Sequence, residues 1–134
     1  MNRTEARENA FILLFEAEFR KDEIPLEIFE YAENFRDFEI NDYVRTVFFG
    51  VHERRKEIDE LVDASLVGWN KKRISPVSRA ILALSTFEML ALDDVPAKVA
   101  INEAVELSKK YDDEKTYMFI NGVLNTVAGS LNLK

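Results

Sequence analysis

The sequence predicts an all-α fold of about seven helices, and three observations predict it. Apolar residues recur at spacings of three and four almost throughout, the period of a helix face. No stretch alternates polar and apolar residues as a half-buried strand does. Only 4 Gly and 3 Pro punctuate 134 residues, too few for the many turns of a β sandwich or barrel. With 47% apolar and 32% charged residues, a chain of this length suits one packed domain, residues 1–134.

Each element follows from its punctuation. Asn2 with Glu5 reads as a capping box opening a first helix that runs to about Phe19. Pro25 suits the first turn of a second, whose apolar residues are Ile28, Phe29, Ala32 and Phe35. Asn41 can cap a third, with Val44, Val47, Phe48 and Val51 on one face. The charged stretch Glu53–Glu57 either continues that helix or bends into a fourth, which carries Ile58, Leu61, Val62 and Leu66 and ends at Gly68. Ser75 and Pro76 open a fifth, with Val77, Ala80, Ile81, Leu84 and Phe87. Asp93, Asp94 and Pro96 stop it and start a sixth, with Val99, Ile101, Ala104 and Val105. Asp112 and Asp113 begin the last, whose stripe is Ile120, Val123, Leu124, Val127 and Leu131. The irregular run Gly68–Ser75, with Lys71, Lys72 and Arg73, is expected to separate two subdomains, roughly 1–70 and 71–134.

Two helices carry more apolar surface than one core face needs. At about 100° per residue, Ala6, Ala10, Leu13 and Ala17 form a narrow, smooth stripe on the first helix. Phe11, Phe15 and Phe19 fall roughly opposite, on an i, i+4 ridge that begins with Arg3 and Arg7. Such a helix is either surrounded by its own protein or presents an arginine-plus-aromatic surface. That surface would suit RNA, because guanidinium groups pair with phosphates and rings stack on unpaired bases. On the last helix Lys115 and Phe119 share a similar ridge, and Gly122 suggests close approach of another backbone.

Much chemistry is excluded or unsupported. The absence of Cys removes disulfides, thiol nucleophiles and thiolate metal sites, and the single His leaves little for a zinc centre. No phosphate loop, metal-ligand spacing or nucleophile–base pairing is present, so no enzyme activity and no cofactor are expected. No apolar run approaches the roughly 20 residues that span a bilayer, and no signal-peptide pattern opens the chain, so a soluble cytoplasmic protein is expected. Net charge is −7, whereas stand-alone nucleic-acid binders are usually basic. A small local RNA site helped by a partner, or a basic protein partner, fits that balance. Glu88, in an apolar neighbourhood, and Asn102–Glu103 are the unusual polar residues; hydrogen-bonded structural roles are expected for them.

The segment Asp94-Val95-Pro96-Ala97-Lys98-Val99-Ala100-Ile101-Asn102-Glu103-Ala104-Val105-Glu106-Leu107-Ser108-Lys109 resembles the signature of the NusB family of bacterial transcription antitermination factors. So does Phe119-Ile120-Asn121-Gly122-Val123-Leu124-Asn125. Ala6-Arg7-Glu8, Ala80-Ile81-Leu82 and Phe87-Glu88-Met89-Leu90 fit in order and spacing, so the resemblance spans essentially the whole chain. It implies two small helical subdomains, no catalysis, and binding of single-stranded boxA RNA from ribosomal RNA operons. It also implies a partner, the small-subunit ribosomal protein NusE, and an adaptor role in the RNA polymerase antitermination complex. The family's arginine-rich segment falls on Arg3 through Arg7, where Glu5 occupies a place often basic elsewhere, so RNA affinity is expected to lean on NusE. By the same resemblance Phe15, Lys115 and Phe119 lie near the RNA surface. Arg3, Arg7, Phe15, Lys115 and Phe119 are therefore expected to form one composite RNA site. The alternative is a protein-interaction module, a homodimer or NusE binder, with little RNA affinity of its own.

Overall fold

Local capping chemistry starts most of the helices. In the computed structural model, which describes residues 1–37, 39–71 and 74–133, the side chain of Asn2 accepts a hydrogen bond from the Glu5 N–H and opens α1 (Arg3–Glu18). Pro25 supplies the first turn of α2 (Pro25–Phe35). Asn41 accepts from the Val44 N–H to start α3 (Asp42–Glu53), and the chain breaks at Arg54 before α4 (Arg55–Ala64). Ser75 caps α5 (Pro76–Ala91) through the Ser78 N–H, and Pro96 precedes α6 (Ala97–Tyr111). Asp113 accepts from the N–H groups of Lys115 and Thr116 where the chain enters α7 (Thr116–Ser130), whose N-cap residue is Lys115. The described residues form seven helices and no strand, and none of these helices is long and apolar enough to cross a membrane.

The helix enclosed on all sides is α5, not α1. Every residue from Ala80 to Met89 is buried, and α5 packs against α1, α3, α4, α6 and α7. Its sequence is apolar around most of its circumference, as a central helix requires. By contrast α1 buries one broad arc, Ala6, Arg7, Ala10, Phe11, Leu13, Leu14 and Ala17, against α3 and α5. Phe35 and Val99, expected in the core, are 73% and 42% exposed. Phe35 lies at the end of α2, beyond the Ile28, Phe29 and Ala32 face, and packs on Tyr31 instead. The fourth helix ends at Ala64 rather than at Gly68. Gly68 adopts a φ of +83° in the following turn, a conformation that only glycine enters without strain. Of the basic run after it, Lys72 and Arg73 lie outside the described residues.

Close approach of a neighbour occurs at Gly50, not at Gly122. A Cβ at Gly50 would fall inside the Phe87 ring, which is itself buried, whereas a Cβ at Gly122 would meet nothing within 4 Å among the described residues. The backbone approach expected at Gly122 is thus absent, because that side of α7 is exposed. Opposite outcomes are expected for the same substitution. Gly122→Ala should raise stability by up to ~1 kcal/mol through helix propensity. Gly50→Ala should lower it, since overpacking costs about 1–3 kcal/mol and outweighs that gain. Urea denaturation midpoints check both, and an unchanged or raised midpoint for Gly50→Ala would mean that the Phe87 ring yields freely.

Candidate nucleic-acid interface

The residues between α4 and α5 and the turn into α7 enclose a cleft of about 540 Å³. Lys115 and Phe119 line it together with Trp69, Asn70, Ser75 and Asp112. The left-handed turn at Gly68 precedes Trp69, whose N–H donates to the Leu66 carbonyl. The indole is 48% exposed and meets the Phe119 ring edge to face, with centroids 4.9 Å apart at 73°. The two acidic groups of the cleft are committed to local bonds. Asp112 accepts from the Ser75 and Ser78 hydroxyls at 3.1 and 3.0 Å. Asp113 accepts from the Thr116 hydroxyl at 2.7 Å as well as from the two N–H groups where the chain enters α7. The Thr116 hydroxyl first, and then the Lys115 N–H, hold the Asp113 carboxyl below its ordinary range. The Lys115 ammonium makes no ion pair within 4 Å among the described residues. Among the described residues the cleft is lined by two carboxylates, one lysine and the Trp69 and Phe119 rings.

Phe15 belongs to a separate series of rings. Phe19 packs on Phe15, Phe15 on Phe11 and Phe11 on Tyr111, with centroids 5.1, 6.1 and 4.9 Å apart. Tyr111 ends α6, next to Asp112 in the sequence, and is not among the residues that line the cleft. Among the described residues no ring pair joins Phe15 to Phe119 directly. Exposure rises along the series: Phe11 is 2% exposed, Phe15 half-buried and Phe19 65% exposed. Glu8 holds the Tyr111 end, accepting from its hydroxyl at 2.9 Å and pairing with Lys110 at 2.5 Å. The bond from Lys110 keeps the Glu8 carboxyl below its ordinary value.

The two arginines lie elsewhere. Arg7, expected on the open ridge with Phe15, is instead buried. Its Nε donates to both carboxylate oxygens of Glu88 at 3.0 Å and its Nη2 to Oε2 at 2.9 Å, while Nη1 lies 3.1 Å from Glu103. The Tyr43 hydroxyl donates to the same Glu88 oxygen at 3.0 Å. Burial by itself would lower the Arg7 pKa, but the hydrogen bonds and charge of Glu88 outweigh it and hold the group above its ordinary value. The physical reason for the burial is rotational. Each i, i+4 step turns about 40°, so the ridge lies inside the buried arc at Arg7 and Phe11 and leaves it at Phe15 and Phe19. Arg3 stays half exposed, its guanidinium 4.5 Å from the centroid of the Tyr43 ring and 4.0 Å from Asp94. It is not among the residues that line the cleft.

The structure thus brings Lys115 and Phe119 to one cleft, and Phe15, Arg3 and Arg7 are not among the residues that line it. Sequence reasoning missed Trp69 as a residue of the cleft. The available signal was the chain's one Trp in a polar irregular run.

Residues 4–129 match the NusB family. The chain is 43% identical over 132 residues to the transcription antitermination protein NusB of Geobacillus kaustophilus, covering 98% of each chain. Among solved structures it resembles T. maritima NusB with a TM-score of 0.83 and 34% identity, over 96% of this chain and 92% of the other. A second solved structure contains the antitermination factors NusB and NusE in complex with double-stranded RNA. It matches with a TM-score of 0.82 and 28% identity, covering 96% of each chain.

Proposed function

This chain belongs to the NusB family, and from that membership we propose that it is a transcription antitermination factor that binds RNA together with NusE. The RNA is single-stranded boxA from ribosomal RNA operons, and the pair serves as a cytoplasmic adaptor to elongating RNA polymerase. The full-length match to proteins of that name carries the reading, and the related complex with NusE and RNA supports both partners. The chain acts by binding; no reaction is assigned to it.

The physical mechanism follows from the surface. Stacking on the exposed rings near the cleft supplies roughly 1–3 kcal/mol per base. Lys115 and Arg3 supply a few phosphate contacts, which make binding salt-dependent. Because Arg7 is spent on Glu88 and the net charge is −7, the remaining favourable charge has to come from the partner. The test is a fluorescence-anisotropy titration of labelled boxA RNA, a scrambled strand and a duplex, with and without NusE, at several salt concentrations. NusE is expected to tighten binding of the boxA strand above both controls. No effect of NusE on any of the three would overturn the adaptor mechanism.

One observation favours the protein-interaction alternative. On and beside α2, Ile24, Tyr31 and Phe35 are exposed among Glu27, Glu30 and Glu33, an apolar surface with an acidic surround that suits a basic protein. The same titration separates the readings: a complex with NusE that leaves every RNA unbound would support the alternative.

A further inference from the structure

We propose that Trp69 is a base-stacking residue, and that the corner it forms with Phe119 receives one unpaired nucleobase of the bound RNA. This inference rests on the RNA-binding reading above and adds to it a residue and an occupant.

Three observations converge. The indole is 48% exposed in a loop turned by Gly68, an unfavourable setting for the uncovered part of a large apolar ring. It stands nearly perpendicular to Phe119 at 4.9 Å, so one ring offers a face while the other walls the side, in a cleft of about 540 Å³. The polar lining suits a base. Asp112 and Asp113, bonded to Ser75, Ser78 and Thr116, line the cleft with carboxylate oxygens that can accept from the polar edge of a base. The Lys115 ammonium, at the start of α7, remains to meet the backbone of the same nucleotide. A neutral, flat ring with polar edges meets all three conditions, and stacking is tolerant of which base supplies it.

Trp69 is the chain's single tryptophan, so its intrinsic emission reports this cleft alone. The experiment titrates the full chain with the single-stranded boxA oligonucleotide at low salt, following tryptophan emission and the anisotropy of a labelled strand in parallel. Quenching that tracks the anisotropy curve is expected. Trp69→Ala should weaken binding roughly 5- to 150-fold, and Trp69→Phe should retain most of it. RNA binding with unchanged Trp69 emission, and Trp69→Ala binding like the unsubstituted chain, would overturn the stacking role and leave the RNA reading intact. Absence of RNA binding even with NusE would overturn both. If NusE without RNA changes the emission by the same amount, judged against the Trp69→Phe protein, the cleft is a protein contact and the proposal fails.

Discussion

Replacing Glu88 by alanine is expected to cost about 3–5 kcal/mol of stability, because it leaves the Arg7 charge buried without its main partner. The two side chains are 3% and 0% exposed and lie 81 positions apart in the sequence. The same substitution removes the acceptor of the Tyr43 hydroxyl, whose pKa stands above its ordinary range chiefly through burial and then through the Glu88 charge. Urea denaturation monitored by circular dichroism would show the loss as a lower midpoint at unchanged slope. The double substitution Arg7→Met with Glu88→Leu should recover much of it, since an apolar pair of similar volume avoids desolvating either charge. The same protein tests where Arg7 acts. If Arg7 reached the RNA, losing it would lower the salt slope of binding by about one contact's worth. The buried geometry instead predicts an unchanged slope in the folded double variant, and a reduced slope would contradict it.

Phe119→Ala should weaken binding of boxA RNA by about 1–3 kcal/mol, or roughly 5- to 150-fold, while leaving the salt dependence nearly as it was. The ring is half-buried, packed partly on the core and partly against Trp69, so a melting curve must accompany the titration. Lys115→Ala is the informative companion. A lysine that meets phosphate contributes alike to every sequence, so its loss should weaken boxA and scrambled strands equally and reduce the salt slope by about 1. Equal binding by Phe119→Ala and the unsubstituted protein, with both fully folded, would remove this face from the interface.

Much of the architecture was legible from residues close together in the chain. Asn2, Asn41 and Ser75 start their helices through bonds to N–H groups three residues on, and Pro25 and Pro76 occupy first turns. Cap and helix lie within one turn of each other, so reading them needs no knowledge of the rest of the molecule. The pairing of Lys115 with Phe119 was equally local, one ridge on one helix. The family resemblance drew on motifs spread along the chain and on known proteins, and it concerns what is bound, not which side chains are free to bind it.

Tertiary structure alone decided which of those side chains are free. Arg7 and Phe15 belong to one ridge by every local criterion, yet α3 and α5 cover one end of it and not the other. Gly50 and Gly122 are the same residue in similar helices, yet the Phe87 ring lies against the first while the second is on an exposed side of α7. Trp69 became part of the cleft because the chain after Gly68 returns beside α7. Hydrogen bonding and helical rotation are set within a few residues, so the sequence by itself determined the helices and their apolar stripes. Exclusion of water is set by whatever packs opposite, from tens of positions away, so only the folded chain determined which cations and rings remain exposed.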